Sequence, residues 1–567
     1  MKLLYGLVVL GVIAAVLPGQ SHAQRWQNPI NISMCTWTAA RVNIIRDTVY
    51  LHGGALWWQI GYDDGTIRPD SENGEYNGNT IYTLALNTPF DTAPANLSSL
   101  FGTTPLASVP QFQSGAMFAN DDAFYLYGGL LSPTASQREL PADRAFEYER
   151  YPQESSPGQW SPRFSNVSLG NITRYLTHGA GVSIPSEDLA FYVSGLRAAD
   201  WGPIWRNATA TNLSQQVITL DMSSRDEARW SNVTLPQHVP ARAGAGAVWV
   251  PISRRGIVVL IGGVLQLESI YPEGLTDEQE AESIRASAAF MQTVSVYDIA
   301  TDEWYNQNTT GDIPPPLTQF CSVYASAPDG SSHNIYIYGG YSGGTPDAEA
   351  SDNVYVLSLP SFEWILLYSG GGQVDTRSEH ACVRHYPDQI DHRVFNLNTA
   401  MFQDRYDTVS WSDYQVPVLV SGRIGGNSSG SATRTSPIYW TNTSLRDVFA
   451  ASYTRPIATW YIDNRATRES SDGDSSGFPG WAGGVIGGIL GLFVIAALSM
   501  FWLIRRRKHN AAAAAIRLQE NSAKKAAPSD GPAELLAPAP GEAGSEPIYE
   551  MHDRNHGAAA ELPVPDI

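Results

Sequence analysis

Short apolar runs that stop on glycine recur along the chain. Thr48-Val-Tyr-Leu-His-Gly-Gly54 is the first, and Ala123-Phe-Tyr-Leu-Tyr-Gly-Gly129 the second. Gly256-Ile-Val-Val-Leu-Ile-Gly-Gly263 and Ile335-Tyr-Ile-Tyr-Gly-Gly340 repeat the pattern, and Leu189-Ala-Phe-Tyr-Val-Ser-Gly195 keeps one of the two glycines. Runs of this length, rich in β-branched and aromatic residues and bounded by glycine, predict buried strands. A second strand follows each run: Thr80–Leu86, Ala145–Tyr148, Gln216–Asp221, Thr293–Asp298 and Asn353–Leu359. Trp160, Trp230, Trp304 and Trp364 come shortly after four of these. Small-residue segments precede most runs, as in Gly115–Phe118, His178–Val182, Ala243–Val248 and Gln319–Val323. Each unit therefore predicts a small inner strand, an apolar strand ending on Gly-Gly, an aromatic strand and a short strand near Trp. A fixed unit repeated along one chain signals a modular array.

The pattern of glycines, with Tyr297 and Trp304 seven residues apart, resembles the kelch repeat. The resemblance covers about residues 36–410 and implies four-stranded blades of a β-propeller. Its repeat glycines are Gly53, Gly54, Gly128, Gly129, Gly195, Gly262, Gly263, Gly339 and Gly340. Glycine has no Cβ, so a strand ending there can turn sharply and sit close to its neighbour. The fold expected is all-β, a propeller of six or seven blades. One blade reads as incomplete: Ser378–His385 opens it, Asp391–Asn398 reads as its third strand, and no second strand is read between them. Asn31–Arg41 is expected to supply a closing strand.

Two further segments change the picture. Residues 1–23 carry Lys2, an apolar run and Ser21-His22-Ala23, the pattern of a signal peptide. Ala482–Ile504 has no charged residue, and at ~1.5 Å per residue it is long enough for the ~30 Å hydrocarbon layer. Trp481 and Trp502 flank it and Arg505-Arg506-Arg507-Lys508 follows, which puts the C-terminus inside. The domain organisation read from the sequence is signal peptide 1–23, external propeller with C-terminal extension 24–463, Ser/Gly/Asp-rich stalk 464–480, membrane helix 481–504 and disordered tail 505–567. Gly483, Gly487 and Gly491 recur at the small-residue spacing that favours a helix-mediated homodimer. Glu546–Glu550 is read as part of that disordered tail in preference to a phosphorylated docking peptide.

Asn-X-Ser/Thr sites begin at Asn31, Asn96, Asn166, Asn171, Asn207, Asn212, Asn232, Asn308, Asn427 and Asn442, all on the external side of that topology. The net charge is −20, which argues against a nucleic-acid partner. With three cysteines, Cys35, Cys321 and Cys382, at most one disulfide forms within the chain, and the sequence does not choose the pair.

Galactose oxidase, a copper radical enzyme, also carries kelch units, so an oxidase is the alternative function. That chemistry needs two His ligands, a Tyr ligand and a Tyr crosslinked to a Cys, and the sequence places neither a pair of histidines nor a second tyrosine in such a setting. His380 and His385 are five apart and would face opposite sides of a strand. The sequence holds no His-Glu-x-x-His, Gly-x-Ser-x-Gly or phosphate-binding loop. No catalytic residue, metal or cofactor is expected. The reading is a non-enzymatic binding protein of the plasma membrane or secretory route, resembling the kelch membrane proteins of filamentous fungi. Its partner is a protein or cell-wall glycan, and the lipid bilayer is met through one helix. Trp57, Trp58, Trp201 and Trp205, in the long stretches after two Gly-Gly strands, are the candidate binding aromatics.

Overall fold

The computed structural model describes residues 29–458, apart from 63–66, 70–79, 93–96, 106–110, 132–140, 151–162, 206–208, 225–228, 272, 345–347, 371–375, 386–387, 391–392 and 408–411. The signal peptide, stalk, membrane span and tail read from the sequence lie outside these residues, as do Asn96 and Asn207. Among the described residues no helix is long and apolar enough to cross a membrane.

The repeats form antiparallel sheets of four consecutive strands. The first runs Arg41–Ile45, Thr48–His52, Thr80–Ala85 and Gly102–Pro105. The second to fourth have inner strands Ala116–Ala119, Ala180–Ile184 and Gly246–Val250. The fifth, from Cys321–Ser326 to Glu363–Tyr368, gains Thr310–Gly311 as an outer parallel strand. These are the five full blades. A sixth sheet follows, built from three-residue strands at Val383–His385, Asp388–Ile390, Val394–Asn396 and Met401–Gln403.

This corrects three expectations. The count is five full blades, against the six or seven expected with one of them incomplete, and the last sheet is a remnant. Its second strand is present, however: Asp388–Ile390 pairs with Val383–His385 and with Val394–Asn396. It escaped notice because three residues without a terminal Gly-Gly give no periodic signal. Asn31–Arg41 does not close the sixth sheet either. Pro29–Thr38 pairs with Ala55–Tyr62, forming a separate ribbon with Ile67–Pro69.

Closure is instead made by main chain around the axis. Ala39, Ser114, His178, Gly244, Gln319 and Glu379 precede the six inner strands. The N–H of each of the last five donates to the carbonyl of the one before it, at 2.7–3.1 Å. Ala39 donates to Glu379 at 2.8 Å, which completes the circle. All six have positive φ, between 52° and 63°, although only one is glycine. Left-handed backbone costs roughly 1–2 kcal/mol at a non-glycine residue, and here a closed circuit of hydrogen bonds holds it.

The double glycines lock each seam. The N–H groups of Gly54, Gly129, Gly195, Gly263 and Gly340 donate to the carbonyls of Phe112, Leu176, Arg242, Leu317 and Arg377 in the following unit, at 2.7–3.1 Å. A Cβ on the first glycine would strike that next unit: at Gly128 it would stand 2.6 Å from the Leu176 oxygen, and at Gly262 2.7 Å from the Leu317 oxygen. A Cβ on the second would strike the segment entering its own inner strand, 2.8 Å from the Thr318 oxygen at Gly340. The expected close approach is therefore two contacts, one for each glycine. Ser194 replaces the first glycine in the third unit yet keeps φ near 60°. Its hydroxyl accepts from the Arg242 N–H at 2.8 Å and donates to the Ser214 carbonyl at 2.9 Å, so the side chain itself serves as the inter-blade contact.

Apolar cores fill the seams. Between the first and second blades Tyr50 meets Phe124 and Tyr148, with ring centroids 5.5 and 5.7 Å apart. Tyr297 and Trp304 are cross-strand partners with rings 5.0 Å apart. In the fifth blade Trp364 stands opposite Leu357, not Tyr355, which accounts for the wider Tyr–Trp spacing there. Beside the small sixth sheet, Tyr414, Val416, Val420 and Ile424 of the C-terminal extension pack into the seam with the fifth blade. They supply apolar area that three-residue strands cannot. The Cys321–Cys382 disulfide crosses the same seam, which settles the pair left open by the sequence.

Candidate binding surfaces and the axial channel

The described parts of the long connections after the Gly-Gly strands lie at one end of the propeller. Leu130–Leu131 pairs with Phe112–Gln113, Leu196–Arg197 pairs with Asn212–Leu213, and Trp205 bridges to Leu131. Beneath them Leu130, Tyr175, Leu196, Ile204, Val264 and Leu267 form an apolar layer. In the longest connection Thr276 and Gln279 form a capping box at the start of the helix Asp277–Ser287, so the acidic run Asp277–Glu280 is the first turn of a helix.

The four candidate tryptophans divide. Trp57, Trp201 and Trp205 are 36%, 38% and 43% exposed. Trp58 instead packs with Met34, Leu56 and Tyr82 under the N-terminal ribbon. Trp57 and Trp58 sit on a strand, Ala55–Tyr62, and not on the expected loop; alternation sends the two rings to opposite faces. Trp201 is held by Arg197, whose guanidinium lies 4.3 Å from the ring centroid. The sequence thus located three exposed aromatics, and Trp201 and Trp205 share one loop.

The sequence did not reveal the buried arginines under this end. Arg41 is fully buried and donates to His52 Nδ1 at 2.8 Å. The Arg41 and Arg174 guanidiniums each lie over the Phe112 ring, 5.1 Å from its centroid. Burial, aided by Arg174, lowers the Arg41 pKa to about 9. Arg242 stacks on Phe290 at 3.9 Å and is also lowered by burial to about 9. Arginine in a short polar segment reads as surface; only the fold shows it roofed by the next blade.

The histidines do not converge. His52 faces Arg41, His178 contacts the Thr177 hydroxyl, His333 the Ser326 hydroxyl, and His238 the Trp304 carbonyl. Burial lowers the pKa of both His178 and His333 to about 4. His392 and the His385 side chain lie outside the described residues. Among the described residues, the clustered metal-ligand types are Cys321, His380 and Cys382, and the disulfide occupies both sulfurs.

The inner strands line an axial channel. Its deep part, about 330 Å³, is bounded by Arg41, Asn43, Ser183, Ser322 and Arg384 among others. At the end remote from the Gly-Gly turns it widens to about 440 Å³, walled by Trp249, Tyr324 and, from the C-terminal extension, Pro456 and Ile457. The extension is fastened there by Glu187, whose buried carboxylate meets Arg255 at 2.8 Å, Arg455 at 3.0 Å and the Tyr453 hydroxyl at 3.1 Å.

The described sequon asparagines Asn166, Asn171, Asn212, Asn232, Asn308, Asn427 and Asn442 are all exposed. Asn31 lies in a strand, with its side chain outside the described residues.

No family model matches the sequence. The chain is 25% identical over 571 residues to a kelch repeat-containing protein of Arthroderma benhamiae, covering 89% of this chain and 80% of that one. This similarity and the four-stranded blades seated on Gly-Gly together support a kelch-type β-propeller. It is also similar to the human multiple epidermal growth factor-like domains protein 8, at 24% identity over 252 residues; these are 44% of this chain and 7% of that protein. The mouse protein of the same name gives 24% over 262 residues, 46% of this chain and 8% of that protein. The kelch propeller supports a protein-binding role in general terms.

Proposed function

We propose that this kelch propeller is a non-enzymatic receptor or adaptor, held by one membrane helix with its propeller outside the cell or in the secretory lumen. It binds a protein or cell-wall glycan through the loops at its Gly-Gly end. The observation that carries the reading is the loop Leu196–Leu213, where Trp201 and Trp205 are exposed and Trp201 is braced by Arg197. Rigid aromatics on a scaffold loop concentrate binding energy at low entropic cost. The exposed sequons fit a glycosylated external surface, and the glycine spacing in residues 483–491 supports pairing of two chains through the span.

Retention of the purified chain on cell-wall and membrane-protein fractions tests this. Trp201→Ala combined with Trp205→Ala is expected to weaken retention at least about tenfold, within the range for interface aromatics, with an unchanged unfolding midpoint. Equal retention of the double variant would remove these loops as the binding face.

A further inference from the structure

We infer that the wide end of the axial channel is filled by the chain itself, through Trp460-Tyr461-Ile462, the apolar run that follows the fastened extension. The run lies outside the described residues, and three observations assign it to the channel.

First, the extension is led to the channel mouth. The Ala451 carbonyl accepts from the Ser253 N–H at 3.1 Å, and Ser452 bridges to Ile252. Tyr453 packs edge-on against Trp249, with ring centroids 5.2 Å apart, and its hydroxyl reaches Ser186 at 2.8 Å. Arg455 meets Glu187 at 3.0 Å. Pro456, Ile457 and Ala458 then stand in the channel wall. The chain therefore proceeds from the hairpins of the fourth and third blades inward to the axis. At roughly 3.5 Å per residue, Trp460 and Ile462 reach at most about 7 and 14 Å from Ala458.

Second, the space suits apolar side chains. The wide part encloses about 440 Å³, and Ile44, Val182, Val248, Trp249 and Val323 line it. Seating the run there removes both apolar surfaces from water. An entering backbone also needs polar partners. Ser183 Oγ accepts from Asn43 Nδ2 at 2.9 Å and from the Ala119 N–H at 3.0 Å. Both contacts use its lone pairs, which leaves its proton for a carbonyl of the run.

Third, the sequence concentrates its apolar residues at this point. Trp460, Tyr461 and Ile462 are consecutive, and no large apolar residue follows from Asp463 to Gly477. Three adjacent large apolar side chains ahead of a polar stretch call for cover, and an apolar cavity begins at Ala458 itself. The seat is at the end opposite the loops of Trp201 and Trp205, so seating and binding there can be lost separately.

Photo-cross-linking in the full chain tests the seat. Trp460→p-benzoylphenylalanine keeps an aromatic side chain and carries the reactive carbonyl. Illumination is expected to join position 460 to peptides holding Val182, Val248 or Val323, on the inner strands of the third, fourth and fifth blades. Ala466→p-benzoylphenylalanine, beyond Asp463, is expected to give no such product. Adding Tyr461→Asp to the first variant is expected to cut the wall products at least about tenfold, because an unpaired carboxylate is expelled from an apolar seat. Products with lipid or detergent, with a second chain or with the propeller's outer surface in place of the wall overturn the assignment, as does the absence of any product. Equal wall yields from positions 460 and 466, or an unchanged yield with Tyr461→Asp, overturn it too. If the Tyr461→Asp chain does not fold, the comparison of positions 460 and 466 decides.

Discussion

Replacing Gly340 by alanine is expected to destabilise the propeller by about 2–5 kcal/mol, from roughly 1–2 kcal/mol for left-handed backbone and 1–3 for overpacking. Gly340 has φ near 85°, and its added Cβ would stand 2.8 Å from the Thr318 carbonyl oxygen and 2.9 Å from Phe320 Cβ. Neither neighbour can move freely. Thr318 pairs with Tyr341, and Phe320 lies in the core between the fourth and fifth blades. The Gly340 N–H also donates to Arg377 across the seam to the sixth sheet, at 2.7 Å. Gly330→Ala is the matched control. Its φ is near 70°, yet nothing lies within 4 Å of the Cβ position, so it carries only the conformational cost. The difference between the two variants in urea denaturation isolates the seam contact. Equal losses would mean that the double glycine is merely a turn.

The second large effect is expected at the disulfide. Cys321 opens the inner strand of the fifth blade, and Cys382 immediately precedes that of the sixth sheet. The bridge spans 61 residues, for which the chain-entropy model gives about 4 kcal/mol. It also acts where blade packing is weakest. The three-residue strands of the sixth sheet carry few side chains, and the seam with the first blade holds a cavity of about 110 Å³ lined by Trp37, Val42, Val49, Leu51, Leu84 and Phe101 among others. Cys382→Ser is expected to lower stability by about 4 kcal/mol and to make residues 383–403 the first point of proteolytic cleavage. Reduction of the wild-type chain should match the variant. Cleavage beginning elsewhere, or a loss below about 1 kcal/mol, would show that the sixth sheet is held without the bridge.

How much of this was legible follows from where each signal resides. The five apolar strands were readable because Gly-Gly interrupts a β-branched and aromatic run at a recurrent position. Even the departure at Ser194 could be placed, although its hydrogen bond to Arg242 could not. The sixth sheet was misread because short strands have no period, and its missing apolar area comes from Tyr414, Val416, Val420 and Ile424, beyond the repeats. The axial ring was invisible for a different reason. Ala39, Ser114, His178, Gly244, Gln319 and Glu379 share a backbone conformation and no side-chain type, so no motif marks them. Of the candidate site, exposed tryptophans were found by their position in long connections. Trp58 was lost because its segment is a strand with two faces. The channel residues Ser183 and Arg384 come from different repeats and line one cavity only after ring closure.

Amide hydrogen exchange at those six ring positions tests the central claim most directly. The account predicts that the N–H groups of Ala39, Ser114, His178, Gly244, Gln319 and Glu379 exchange slowly, with similar opening free energies close to that of global unfolding, because one broken bond opens the whole circle. Fast exchange at these amides, or six unrelated opening energies, would contradict a closed ring of blades seated on a common axis.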